Sequence, residues 1–291
     1  MTKILLIGKD GQLGQELQPF LTAMGSLVSV GRDTLDLSQP QIIEQIIEDI
    51  QPEWVINAAA YTAVDKAESE PELAMKINGI APGILAKACQ QLDAKLIHIS
   101  TDYVFDGTQS HPYIETDSTH PLGVYGQSKL AGEIAIQETQ AKFAIIRTAW
   151  VYGVGGTGNF VKTMLRLGKE REEIRVVCDQ VGSPTWTGDL AQSIVQLMPL
   201  LNSQTYGIYH CTNSGVTSWY DFAIAIFEEA KLLGFPLKIE RVIPITTPEY
   251  PTPASRPAYS VLSGKKLANL LETHTPQWRQ GLRKMLQQLN P

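Results

Sequence analysis

Lys3-Ile4-Leu5-Leu6-Ile7-Gly8-Lys9-Asp10-Gly11-Gln12-Leu13-Gly14 is the stretch that decides the fold. A short apolar run ends at a glycine, and helical apolar spacing follows at Leu13, Leu17, Phe20 and Leu21, so the segment reads as strand, turn and helix. Glycines at 8, 11 and 14 permit a tight turn and let a pyrophosphate come close to the amides that open the helix. The spacing is GxxGxxG rather than GxGxxG. Its weight comes from its place directly after the amino-terminal strand.

The same alternation continues outward. Leu27 to Val30 forms a second strand candidate, and Ile42, Ile43, Ile46, Ile47 and Ile50 put one apolar face on a helix before the strand Trp54 to Asn57. A helix around Leu73 to Gln91, a strand Lys95 to Ser100, a helix from Tyr125 to Glu138 and a strand Phe143 to Arg147 complete five strand–helix repeats. Parallel neighbours need crossover helices, so the expectation is an α/β fold with a doubly wound, Rossmann-like parallel sheet over residues 1–150. Ligands bind such sheets at the carboxyl ends of the strands, where the loops after Ile7, Asn57, Ser100 and Arg147 gather.

Beyond Arg147 the pattern loosens. Gly153-Val154-Gly155-Gly156-Thr157-Gly158 reads as a flexible connection, and residues 244–257 carry five prolines in an extended loop. Helices are expected near Asn159 to Lys169, Asp189 to Leu200, Trp219 to Leu233 and Trp278 to Leu289. A smaller, partly discontinuous α/β substrate domain is therefore placed over 151–186 and 236–291, with the segment 187–235 packing back on the first domain.

Composition narrows the function. A net charge of -6 and the lack of any lysine or arginine block leave nothing to attract a nucleic-acid polymer, and 43% hydrophobic content is ordinary for a globular core. The apolar start is too short and too soon polar for a signal peptide or membrane span, so a cytoplasmic location is expected. Cys89, Cys178 and Cys211 lack a CxxC pair, and the five histidines show no ligand spacing, so no metal site or histidine catalysis is read from them.

Two groups of residues suggest chemistry. Near the end of the second strand, Arg32 suits the 2′-phosphate of NADP, whereas Asp33 suits the free ribose hydroxyl of NAD; the balance leans slightly to NADP. Tyr125 and Lys129 lie four apart on one helix face, after the strand that ends in Ser100-Thr101-Asp102. Reducing a ketone leaves an alkoxide that must receive a proton as it forms, and a tyrosine can give one. A cation ~4 Å away at an effective dielectric of ~20 contributes about 4 kcal/mol, enough to draw Tyr125 toward neutrality. Thr101 would hold the substrate oxygen within reach, and Lys129 can also bind the nicotinamide ribose.

Together the GxxGxxG turn, Asn57-Ala58-Ala59-Ala60, Ser100-Thr101-Asp102 and Tyr125 to Lys129 resemble extended short-chain dehydrogenases. Residues 58–71 (AAAYTAVDKAESEP), 100–107 (STDYVFDG), 125–133 (YGQSKLAGE), 147–152 (RTAWVY) and 251–257 (PTPASRP) resemble the dTDP-4-dehydrorhamnose reductase family almost end to end. The resemblance implies reduction of the C4 ketone of a dTDP-sugar, dTDP-4-dehydro-L-rhamnose. It also implies a cofactor site of Gly8, Gly11, Gln12, Leu13, Gly14, Arg32, Asp36, Leu37, Ala58, Ala60, Tyr61 and Thr62. Thr101, Tyr125 and Lys129 match the family's catalytic triad, while Thr101, Asp102, Trp150 and Arg256 match its contacts to the nucleotide sugar.

The match has one departure. Some members hold Mg²⁺ between carboxylates at a dimer interface; Glu16 matches one of them, Gly188 stands where another glutamate is expected, and no residue matches the carboxyl-terminal ligand. Neither Mg²⁺ nor a homodimer built on it carries over in full. Two other readings stay open: a nucleotide-sugar epimerase on the same scaffold, and a non-catalytic regulatory subunit that keeps the fold.

Overall fold

In the computed structural model, residues 1–289 are described. The first half alternates as expected: β1 (Lys3–Ile7), α1 (Gln12–Met24), β2 (Ser26–Val30), α2 (Ile43–Ile50) and β3 (Trp54–Asn57). Two short helices follow, α3 (Val64–Ala67) and α4 (Pro71–Met75), and a π turn over Lys76–Ile80 joins α4 to α5 (Ala81–Gln91). Next come β4 (Lys95–Thr101), α6 (Val124–Gln137) and β5 (Lys142–Thr148).

The second half contains β6 (Val151–Tyr152), α7 (Phe160–Glu170), β7 (Glu173–Val177), β8 (Val181–Gly182), β9 (Thr185–Trp186) and α8 (Thr187–Leu197). It ends with β10 (Gly207–His210), β11 (Thr217–Ser218), α9 (Trp219–Leu232), β12 (Arg241–Ile245), α10 (Lys265–Leu271) and α11 (Trp278–Leu289). The strands after Arg147 and the helices α3 and α10 were not anticipated from sequence. Most of these strands have two to five residues and show no clean alternation, β10 has four, and α10 is a helix of two turns.

The main sheet has the order β10-β5-β4-β3-β1-β2, with every neighbour parallel. Strands covered on both faces must be apolar on both. In β1, Ile4 and Leu6 enter a core with Leu13, Leu17 and Leu21 of α1 and Leu190 and Ile194 of α8, while Leu5 and Ile7 enter the opposite core with α2 and α5. The chain leaves β1 toward β2 and returns on the other side at β3, so the strand order reverses between them and opens a crevice at their carboxyl ends.

A third core joins Met164 and Leu165 of α7, Phe222, Ile226 and Phe227 of α9, and Leu282, Met285 and Leu286 of α11, beside the parallel pair β7–β12. Of the segment 187–235 expected on the sheet, α8 packs on α1 and β10 extends the sheet beside β5, but α9 lies in this third core. Its apolar residues face α7 and α11. Among the described residues, no helix is long and apolar enough to cross a membrane.

One buried ion pair ties the catalytic candidates to the sheet. Arg147 of β5 donates to both oxygens of Glu133 on α6, at 3.0 and 3.1 Å from Nε and 2.6 Å from Nη2, and Ser100 of β4 donates to the same carboxylate at 2.5 Å. Both charges are withdrawn from solvent, Glu133 at 0% and Arg147 at 3% exposure. Removing one partner strands the other in the core, so Glu133→Ala should lower unfolding free energy by ~3–5 kcal/mol in urea titrations. Glu170→Ala, which breaks the exposed Arg166–Glu170 pair, should cost less than about 0.5 kcal/mol.

Candidate active site

The glycine turn is shaped by close backbone approach. Gly8 has φ +90°, and a Cβ there would lie 2.8 Å from the Ala59 amide of the loop after β3. A Cβ on Gly14 would fall 2.0 Å from the Gly8 carbonyl oxygen, so Gly14 lets α1 start directly under the turn. A cavity of about 840 Å³ lies over this junction, large enough for a dinucleotide and part of a sugar nucleotide.

Gly8, Gly11, Gln12, Leu13, Arg32, Asp36, Leu37, Ala58, Ala60, Tyr61 and Thr62 all line it, as do Thr101, Asp102, Tyr125, Lys129 and Trp150. Gly14 supports the turn from behind. Arg256 does not line the cavity; its guanidinium pairs with Asp65 at 2.8 Å, close to Tyr103. At the β2 end, Arg32 is largely exposed and reaches Asp36 at 3.6 Å, whereas Asp33 turns back against Gly31.

The loop after β3 is clamped from the π turn. Asn78 accepts from the Tyr61 amide at 2.8 Å, donates to the Tyr61 carbonyl at 3.0 Å and donates to the Ser128 hydroxyl at 3.1 Å. One buried amide thus joins the cofactor loop to the helix that carries Tyr125 and Lys129, and the π turn aims it there. The Gly153–Gly158 segment is not the loose connection expected. Lys162 donates to the carbonyls of Val154, Gly155 and Gly156, and Asn159 caps α7 while donating to Gln12 at 2.7 Å, which brings these glycines over the pyrophosphate turn.

Burial dominates the electrostatics. It pushes the Tyr125 phenol up to about 12, with the adjacent Thr101 hydroxyl pulling the other way, and draws the Lys129 amine down to about 8 against the field of Glu133. The expectation that Lys129 draws Tyr125 toward neutrality is therefore reversed. It assumed a cation facing the phenol, but the lysine nitrogen donates to the Ile99 carbonyl at 2.6 Å and meets His98 at 3.3 Å. Tyr125 holds its proton at neutral pH and is available as a donor.

Thr148 and Trp219, the partner of the expected Trp150, escaped the sequence reading. Thr148, paired in register with Thr101 on β5, is buried with its hydroxyl unpartnered in the cavity wall. Trp150 adopts φ +48°, a conformation costing ~1–3 kcal/mol for a non-glycine residue, and stacks on Trp219 at 3.5 Å between ring centroids. Neither a lone threonine nor a tryptophan seventy residues away carries a motif. Unpartnered buried hydroxyls and strained aromatics at a cavity wall fit a site that awaits a ligand.

Of the positions that resemble magnesium ligands, Glu16 accepts from Thr187 at 3.5 Å, and a Cβ on Gly188, where the family's other glutamate would stand, would strike the Trp186 ring at 2.5 Å. Within one chain, no group of three metal-ligating side chains occurs among the described residues.

A parallel sheet with this switch point, a glycine turn under a large cavity, and a Tyr–Lys helix at its wall define an extended short-chain dehydrogenase/reductase that uses a nicotinamide dinucleotide. The family described as RmlD substrate binding domain matches residues 1–290. A dTDP-4-dehydrorhamnose reductase from Burkholderia thailandensis is 46% identical over 285 residues, covering 95% of each chain. Crystal structures of dTDP-4-dehydrorhamnose reductases superpose along the full length. That from Clostridium acetobutylicum has a TM-score of 0.92 at 40% identity, covering 100% of both chains. That from Bacillus anthracis, in complex with NADP, has a TM-score of 0.90 at 40% identity, covering 99% of this chain and 100% of the other. The chain belongs to the dTDP-4-dehydrorhamnose reductase family.

Asp102 links the site to stability. Burial raises its carboxyl to about 6, opposed by the hydroxyls of Ser260 and Thr101, and Oδ2 has no partner at hydrogen-bond distance. Between about pH 4 and pH 6 the native state keeps a proton that the unfolded chain has released, so this group costs stability as pH rises through that window. Asp102→Asn should exceed the parent's stability by ~1–3 kcal/mol at pH 7 and match it near pH 4, measured by denaturant titration at both. A pH-independent difference would contradict this.

Proposed function

We propose that this chain reduces the C4 ketone of dTDP-4-dehydro-L-rhamnose to dTDP-L-rhamnose, with NADPH favoured slightly over NADH. The observation that carries the reading is the convergence of Thr101, Tyr125 and Lys129 with the glycine turn on one cavity, in a chain of this family. A cytoplasmic location agrees with it, and nothing in it requires a second copy or a metal.

When bound, a dihydronicotinamide would supply the hydride for the ketone carbon. The chain's task is then to hold the carbonyl and deliver a proton to its oxygen. Tyr125 gives that proton, since burial keeps the phenol protonated until an alkoxide forms beside it. Thr101 has one hydroxyl proton, which goes to Asp102 Oδ1 at 3.0 Å; turned to the sugar oxygen instead, it adds a donor where charge develops. Lys129 as an ammonium binds the cofactor ribose and stabilises the phenolate left behind.

Trp150, stacked on Trp219, offers a flat apolar wall to the nucleotide sugar, and Arg256 is assigned to its diphosphate, for which it would leave Asp65. At the opening of α1 the amides of Gln12 and Leu13 are assigned to the pyrophosphate, while the Gly11 amide shapes the turn by donating to the Gly8 carbonyl at 3.1 Å. Exposed Arg32 supports the 2′-phosphate preference, and the neighbouring Asp36 keeps that preference small.

With dTDP-4-dehydrorhamnose the protein should oxidise one NADPH per sugar reduced, followed at the nicotinamide absorbance. Cofactor that is never consumed would mean epimerase chemistry, and no turnover at all would fit a regulatory subunit. Tyr125→Phe should lower kcat by about 100- to 10,000-fold with the fold retained. Arg32→Ala should raise the KM for NADPH about 3- to 10-fold and leave that for NADH unchanged, a small effect because the guanidinium is mostly in water.

A further inference from the structure

A chain of four hydrogen bonds behind the site has a fixed polarity. The Ala59 amide donates to Asn57 Oδ1 at 3.1 Å, which leaves the Asn57 amino group facing His98 Nδ1, also at 3.1 Å. His98 Nδ1 must therefore accept, and the imidazole proton resides on Nε2. That N–H points at Lys129 Nζ, 3.3 Å away, while Lys129 donates to the Ile99 carbonyl on its other side. Asn57, His98 and Lys129 are all at least 98% buried, so a mismatch at the Asn57–His98 or His98–Lys129 contact is not relieved by bulk water, while Ala59 lies at the cavity wall.

With a free amine on Lys129 every contact pairs a donor with an acceptor. With an ammonium, one donor meets another. Turning the imidazole to its other tautomer moves the clash to Asn57, and rotating the Asn57 amide moves it to Ala59; no arrangement removes it. We propose that His98 is a positioning residue for the reduction: as the Nε2–H tautomer it gives Lys129 a hydrogen bond that only the free amine can accept, and so lowers the proton affinity of that lysine.

This rests on the role assigned to Lys129 above. The other groups that act on the pair are few. Glu133 favours the ammonium but already serves Arg147 and Ser100, Tyr125 lies one turn away on α6, and Ser128 and Asn78 are neutral; Lys129 is the charge that acts on His98. Burial itself also opposes charge on both His98 and Lys129.

The test needs no turnover. Nitrogen-15 spectra of the imidazoles, with His98 assigned by through-bond correlation to its backbone, should show Nε2 protonated and Nδ1 bare at about pH 9, where Lys129 is a free amine. The Nδ1–H tautomer or an imidazolium would overturn the proposal even if the variant fails to fold. In folded His98→Gln, whose amide oxygen can accept from an ammonium, the Lys129 titration followed by its ε-carbon shift should rise by about one pH unit. The decline of kcat at high pH should move with it. An unmoved titration would make His98 merely structural. If the tautomer and the shifted titration are as stated but the sugar is never reduced, the functional reading fails and the coupling of His98 to Lys129 stands without a part in reduction.

Discussion

The salt bridge between Glu133 and Arg147 is the interaction on which the site depends. Glu133 lies on the helix one turn beyond Lys129 and two beyond Tyr125; Arg147 immediately precedes Thr148; and Ser100, which completes the carboxylate's coordination, immediately precedes Thr101. Three hydrogen-bonded groups thus set the relative positions of α6, β4 and β5 at the level where the proposed chemistry occurs. A buried pair of this kind is a poor source of net stability, because desolvating two charges consumes much of their attraction. What it adds is geometry: a carboxylate that accepts from Arg147 and Ser100 together admits few placements of α6 on the sheet.

Above this anchor lies a second polar layer of neutral groups. Asn78 ties the loop after β3 to Ser128, and Asn57 and His98 reach Lys129 from the strands. Low dielectric makes such networks costly when half satisfied and stiff when complete. Asp102 Oδ2 and Thr148 Oγ1 are unpartnered in the cavity wall, and Gln109 Oε1 and Trp186 Nε1 are unpartnered away from it. The two at the wall suit a preorganised site, since groups that meet a ligand must not be consumed by the protein.

Much of this architecture was legible in the sequence because local periodicity and position carry it. The apolar runs at Ile4–Ile7 and Val55–Ile56 and the helical faces of α1 and α2 report burial directly, and the Tyr125–Lys129 spacing places both groups on one face. Elements whose stability comes from elsewhere were not legible. β10 owes its strand state to pairing with β5, and the glycines at 153–158 are ordered by Lys162, a contact that composition cannot announce. α9 carries apolar residues that suit either core, and only tertiary packing assigns them.

The site residues divide in the same way, and the reason bears on the electrostatics. Thr101, Tyr125 and Lys129 were found because their chemistry is explicit in the side chain. His98 and Thr148 are ordinary strand residues whose significance lies in a neighbour's lone pair or in a missing one. A lysine beside a tyrosine acidifies it when only the two charges are considered, and burial of both groups reverses that sign here. Desolvation acts on both groups at once, raising the phenol to about 12 and lowering the amine to about 8, so that each is moved away from its charged form and the two titrations are drawn apart. In the reaction proposed above, a site arranged in this way would keep the proton on Tyr125 until negative charge appears on the substrate, and the field of Lys129 would then have its effect in the transition state rather than before it.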